Sequence, residues 1–156
     1  MKTYSVGEMA RRMGIPTSTL RYYDKEGLLP FVERTPGGIR VFGERDYEYL
    51  QLIECLKKTG MPLKEIREFV RMTVEGDGTI EARLDLFRRR REAVERQIEE
   101  LQNTLKIIDY KCWYYERAWS EGTTDALEQM PMDEIPEQYR EAKKYLQGSA
   151  DGSEPE

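Results

Sequence analysis

The chain has 156 residues, 35% of them charged and 38% hydrophobic, with a formal net charge of −5. That charge fraction exceeds the ~25% of an average globular protein and points to long, solvent-bathed helices around a small core. No run approaches the ~18 apolar residues of a membrane span, and the N-terminus leads into no signal-peptide core, so a cytoplasmic protein with no membrane partner is expected. Histidine is absent, which removes the commonest general base and metal ligand, and the two cysteines, Cys55 and Cys112, stand far apart. With no Gly-rich phosphate loop and no nucleophile motif either, no enzyme, cofactor or metal is expected. The charge is uneven. Residues 1–75 hold 13 basic and 11 acidic side chains, a net of +2, and the remainder carries a net of −7. Phosphate attraction acts over about a Debye length of ~8–10 Å, so a locally basic head can bind nucleic acid within an acidic protein.

Ser5 to Met13 reads as a short helix, with Ser5 as cap, Glu8 at capping-box spacing, and Val6, Met9, Ala10 and Met13 as its apolar face. Gly14-Ile15-Pro16 breaks it, and Thr17 to Lys25 forms a second short helix closed by Gly27. Two short helices about a tight glycine turn are a helix-turn-helix signature. Leu28 to Phe42 contains Pro30, Pro36, Gly37 and Gly38 and cannot be helical. Phe31-Val32 and Ile39-Arg40-Val41-Phe42 flank a Thr35–Gly38 turn, the pattern of a hairpin wing. Glu44 to Thr59 is a helix ended by Gly60. Pro62, favoured at a first helical position, opens another that runs to about Val74, and residues 75–78 break the pattern.

The clearest periodicity follows. From Leu84 the steps alternate three and four through Phe87, Arg91, Val94, Ile98, Leu101, Leu105, Ile108, Cys112, Tyr115 and Trp119. This is a heptad seam over roughly five heptads. A helix from Thr79 to Trp119 would span about 60 Å. A narrow seam of that length cannot bury itself, and no other helix of the chain matches it, so its partner is expected to be a second copy. Beyond Gly122 the pattern weakens: Pro131 and Pro136 bracket a loop, Glu137 to Leu146 suits a short helix, and Gly148 to Glu156 reads as a disordered acidic tail. The expected organisation is a winged helix-turn-helix head over residues 1–75, a coiled-coil dimerisation helix over 79–119, and a short effector or capping segment with tail over 120–156.

The second helix reads Thr17-Ser18-Thr19-Leu20-Arg21-Tyr22-Tyr23-Asp24. Short hydroxyls at a helix N-terminus admit close phosphate approach, Arg21 can read guanine or phosphate, and tyrosine hydroxyls bind phosphate. Against this, Leu20 and one tyrosine belong to the core, Thr17 serves equally as a cap, and Arg21 could serve a structural ion pair. An adaptor that dimerises without binding DNA is the competing class, separable by salt-dependent duplex binding.

The run Thr19 to Leu29, followed by Gly38-Ile39-Arg40-Val41-Phe42 and Leu56-Lys57-Lys58-Thr59-Gly60-Met61-Pro62-Leu63, resembles the MerR family of bacterial regulators. The resemblance covers Met1 to about Val74 and agrees with that family's long dimerisation helix. It implies two winged heads on an antiparallel coiled-coil homodimer, bound to a pseudo-palindromic promoter site in an over-long spacer. An effector then makes the dimer distort the DNA and realign the promoter for RNA polymerase. By position it implies Thr17, Ser18, Arg21 and Tyr22 on the recognition helix, Arg40 in the wing, and Tyr23 and Lys57 at positions that touch DNA in relatives. The metal-binding cysteines of the family's metal sensors are missing. The segments around Cys55 and from Thr73 to Arg83 resemble aldehyde-responsive, single-cysteine members. That makes Cys55 a candidate sensor, its thiolate favoured by Lys57 and Lys58 but opposed by any burial, and a small core residue on the other reading. Cys112, Trp113, Tyr114 and Trp119 form an aromatic stretch at the end of the seam. Cys112 and Trp119 lie on the seam, whereas Trp113 and Tyr114 lie off it and either pack against a head or the C-terminal tail, or help line a pocket for a non-covalent small-molecule effector.

Overall fold

The computed structural model describes residues 1–148; the tail expected to be disordered lies, beyond Gly148, outside the described residues. The chain divides into two compact units, Met1–Val94 and Glu95 onward.

The first unit opens with α1 (Val6–Met13). Ser5 caps it as expected: its hydroxyl accepts from the Glu8 N–H, and the Glu8 carboxylate accepts the Ser5 N–H at 2.8 Å. Gly14, at φ 69°, ends the helix by turning its N–H back to the Ala10 and Arg11 carbonyls, a left-handed conformation that favours glycine. Next comes α2 (Thr17–Lys25). Strands β1 (Glu33–Arg34) and β2 (Arg40–Val41) pair antiparallel, Glu33 opposite Val41 and Arg34 opposite Arg40, with a further bridge between Tyr4 and Phe42. The first strand starts two residues later than the sequence suggested. Phe31 instead lies edge-on to Tyr49 at 5.2 Å under the Arg45 guanidinium, and Val32 packs on the core. Side-chain burial there outweighs β-propensity.

Helix α3 (Glu44–Lys58) and α4 (Leu63–Glu75) complete the head. Pro62 sits one place earlier than expected, as the N-cap of α4 rather than inside it. The core gathers Met9, Leu20, Tyr23, Leu28, Phe42, Leu50, Ile53 and Ile66, each at most 2% exposed. A 3-10 turn (Asp77–Thr79) leads into α5 (Ile80–Glu121). The Thr79 hydroxyl reaches the Met72 and Gly76 carbonyls at 2.6 and 2.7 Å, and Arg83 donates to Thr79 and Gly76. The start of α5 is held on the head by Phe87, edge-on to Phe69 at 5.1 Å, and by Arg90 on Glu65 at 3.1 Å.

In the second unit, the rest of α5 carries α6 (Asp125–Glu128), a 3-10 turn (Met132–Glu134) and α7 (Glu137–Leu146). Its small core is Tyr110, Ile135 and Ala142, with Trp113, Tyr114 and Tyr139 packed around it. Among the described residues no helix is long and apolar enough to cross a membrane.

Candidate nucleic-acid interface

Helix α2 divides by side. Leu20 and Tyr23 are buried, whereas Thr17, Ser18, Arg21 and Tyr22 are exposed. At 100° per residue these four lie within one face, the spread that 3.6 residues per turn gives to i, i+1, i+4 and i+5. Arg21 takes no part in an ion pair among the described residues, so the structural ion-pair reading of it has no partner here.

Tyr23 has a different place. Its ring is in the core and its hydroxyl lies between two residues of α3, donating to Glu54 Oε1 at 2.6 Å and accepting from Lys57 Nζ. Burial, then the bond to Glu54, pushes the phenol above its ordinary range, and the tyrosine bond is the main reason the Lys57 ammonium is held more firmly protonated than usual. Tyr23 thus anchors the Lys57 ammonium beside α2.

Ser18, Tyr22, Tyr23, Lys57, Gly60 and Leu63 border a concavity of about 590 Å³. Gly60 and Leu63 were not among the expected site residues. They belong to the turn, with Gly60 at φ 83°, that brings the start of α4 beside α2. The signal was present in Gly60-Met61-Pro62-Leu63: a helix that begins just after proline has no side-chain cap. Helices α2 and α4 both begin this way, after Pro16 and Pro62, and neither has a side-chain cap, in contrast to α1. Their first N–H groups are therefore unclaimed by their own helix, and a helix N-terminus with a neighbouring lysine suits an anionic oxygen.

The wing is tied to the same helix. Asp24 Oδ2 accepts from Arg40 Nε at 2.5 Å and from Arg34 at 3.0 Å, and Arg34 also donates to the Gly38 carbonyl. Arg40 is therefore an ion-paired residue that sets the wing against α2, held through Nε.

The candidate sensors are placed separately. Cys55 is exposed on α3, which overturns its reading as a core residue; its neighbours Ile53 and Leu56 fill the core instead. Lys57, expected to favour its thiolate, is committed to Tyr23 and Glu54. In the second unit Trp113 stacks on Tyr139 at 5.5 Å and on Tyr110 at 6.1 Å, so the C-terminal helix is what it packs on. Tyr114 is half-buried in the same cluster, under Lys111 at 4.7 Å. Cys112 and Trp119 are exposed, Trp119 at 87%. None of the four borders the cavity of about 430 Å³ that lies between Glu100–Ile107 and α7. Among the described residues no cluster of three metal-ligating side chains occurs.

Comparison with known proteins identifies the family of this head. Residues 4–73 match the family model for MerR HTH family regulatory proteins, and residues 47–109 match the model described as MerR, DNA binding. An HTH-type transcriptional regulator of Haemophilus influenzae is 44% identical over 135 residues, covering 86% of this chain and 98% of that protein. AdhR, an HTH-type transcriptional regulator of Bacillus subtilis, is 34% identical over a stretch that spans 53% of this chain and 59% of AdhR. Among solved structures, HiNmlR, a MerR family regulator lacking the sensor domain and bound to promoter DNA, superposes with a TM-score of 0.75. It is 45% identical and covers 80% of this chain and 99% of its own.

Proposed function

We propose, for a chain that belongs to the MerR family of helix-turn-helix regulators and is a DNA-binding transcription regulator, how it engages its promoter and where it receives its signal. Thr17, Ser18, Arg21 and Tyr22 enter the major groove. Lys57, set by Tyr23, and the open start of α4 seat a backbone phosphate, and the wing, set by Asp24, places Arg40 on the flanking strand. The observation that carries this is the exposed, unpaired face of α2 beside the concavity at Lys57. The exposed seam of α5 supports a homodimer, which would place two heads on a two-fold site within an over-long promoter spacer. A twist of that DNA would serve RNA polymerase. Such work belongs in the cytoplasm, where the promoter is.

HiNmlR lacks a sensor domain, and this chain resembles it over nearly all of that length. That likeness supports a signal received on the head or coil. Exposure of Cys55 favours a reactive electrophile such as an aldehyde, because a thiol on the surface of α3 can be reached by one. An adduct there would sit on the helix that holds Lys57. Trp113 and Tyr114 pack against Tyr110 and Tyr139, and Trp119 stands exposed, an arrangement that supports the thiol over a non-covalent pocket among them. Transcription from a promoter the protein binds, with and without formaldehyde or methylglyoxal, tests the reading. Cys55→Ser should lose the response and keep operator binding. A Cys55→Ser protein that responds like the wild type would sink the thiol reading and leave the DNA-binding reading intact.

A further inference from the structure

Three helices of the head carry an acidic residue at their third position: Glu8 in α1, Asp46 in α3 and Glu65 in α4. In the first two the carboxylate folds back onto the backbone of its own cap. Glu8 accepts the Ser5 N–H at 2.8 Å, and Asp46 accepts the Gly43 N–H at 2.7 Å. A carboxylate at this position ordinarily does so, because the free N–H groups of a helix start concentrate positive potential there. In α4 the cap is Pro62, which has no N–H to offer. The Glu65 carboxylate turns instead to α5, where Arg90 Nη2 donates to it at 3.1 Å. Both residues lie in the same compact unit, Met1–Val94.

That diversion matters because of what borders the start of α4. Lys57, Gly60, Met61 and Leu63 line the concavity beside α2, and Glu65 does not. The N–H groups of Glu65 and Ile66 already bond the Pro62 carbonyl, so those of Leu63 and Lys64 are what the helix start presents. A carboxylate of the same turn is an internal rival for any anion there. It is tethered to the helix, whereas a phosphate has to arrive from solution. Arg90 holds that rival away. Its side chain is 18% exposed, and its Nε is buried without a hydrogen bond among the described residues. A buried donor left unpaired costs stability, and an apolar side chain at this position would pack on the head without that cost. What the guanidinium adds is its hold on Glu65.

We propose that Arg90 is a positioning residue for DNA binding: by holding the Glu65 carboxylate on α5, it keeps the start of α4 free for a backbone phosphate. This rests on the reading of Lys57 and the start of α4 as a phosphate seat, and deepens it by naming what keeps the seat open. Without Arg90 the carboxylate is released beside an uncapped helix start. There it competes for the N–H groups that a phosphate needs, and it repels the phosphate's charge.

The test is a mutant cycle in the full chain, read by anisotropy on a promoter duplex that the wild type binds. Salt of ~0.15 M, with its Debye length of about 8 Å, mutes charges far from the duplex. Arg90→Met keeps an unbranched stem against the head and loses the charge. It should weaken binding about fivefold, the scale of one charge acting at a helix terminus. Glu65→Gln alone should stay within about twofold of the wild type, and adding it to Arg90→Met should restore binding to the same margin. Arg90→Lys, which keeps a cation for Glu65, should bind as the wild type does. Unchanged binding by Arg90→Met overturns the proposal. So does a Glu65→Gln protein as weak as Arg90→Met with a double variant no better, which would make the pair an anchor of α5 alone. Equal gains from Glu65→Gln with and without Arg90 would mean two independent charges, and an Arg90→Lys protein as weak as Arg90→Met would mean that the charge is not what acts; either overturns it. Lys57→Ala at wild-type affinity would instead overturn the phosphate seat beneath the proposal.

Discussion

At the scale of single residues, the head keeps apart the side chains proposed to read DNA from those that hold them. Arg21 and Tyr22 are exposed and unneeded by the core, so Arg21→Ala and Tyr22→Phe should leave the circular dichroism and melting temperature unchanged. Loss of the Arg21 contact should weaken operator binding by about 1–3 kcal/mol, measured by anisotropy across a salt titration. Asp24 and Tyr23 act through others. Asp24→Asn should release Arg34 and Arg40 from their shared carboxylate and weaken binding while the head stays folded; unchanged affinity would mean that the wing needs no such tether. Asp46 gives a pH-dependent case. It is buried at the start of α3, where burial raises its pKa and the Gly43 N–H, at 2.7 Å, only partly offsets that. A carboxyl whose folded pKa is raised contributes most below its unfolded value near 3.8, and its contribution falls as pH rises through the folded one. Asp46→Asn keeps an acceptor for Gly43 without the charge, so its melting temperature should exceed the wild type's at pH 7 and the gain should vanish near pH 3. The exposed face of α2 was legible in the sequence because Leu20 and one tyrosine of that helix are apolar enough for the core and its hydroxyls and arginine are not. The roles of Tyr23, Asp24 and Gly60 were not, because each depends on a residue at least ten positions away or on a turn whose geometry no local pattern specifies.

At the scale of elements, local chemistry set the boundaries wherever it was strong. The capping box of Ser5 and Glu8, the prolines at 16 and 62 and the glycines at 14 and 60 place α1 to α4 within a residue or two of their expected ends. The hairpin start was misplaced because Phe31 and Val32 satisfy strand propensity yet are claimed by Tyr49 and the core. The four-residue α6 was invisible because one turn carries no period. The Trp113 and Tyr139 stack was half legible: the aromatic stretch demanded a neighbour, but only the fold says that α7 supplies it. Two changes test these elements separately. Ser5→Ala removes a cap worth about 1 kcal/mol, and should lower the head's melting temperature without changing salt-dependent DNA affinity. Tyr139→Ala removes stacking worth about 0.5–1.5 kcal/mol beyond its area, and should raise hydrogen exchange in α7 while α1 to α4 keep their protection. If exchange rose across the head instead, the two units would not be energetically separate.

At the scale of the whole molecule, the heptad seam of α5 explains both what the sequence made plain and why one chain leaves it unfinished. Period and length are written in the residues from Leu84 to Trp119, but among the described residues most of that seam stays exposed. Ile98→Asp together with Leu105→Asp puts charges in that seam, where a carboxylate buried against a second copy would lose water without gaining a counter-ion. The double variant should be monomeric by light scattering. The head core from Met9 to Ile66 involves neither residue, so its helical signal and melting should survive. DNA binding should then change in a specific way. One dimer neutralises phosphates at both half-sites, and log K falls with log salt in proportion to the number neutralised. The monomer should keep affinity for a half-site with about half the wild-type salt slope, and lose the ~10²–10⁴ that tethering of two heads confers. A double variant that stays dimeric would move the interface off the seam, and a monomer with the full slope would mean that one head alone makes the contacts assigned to two.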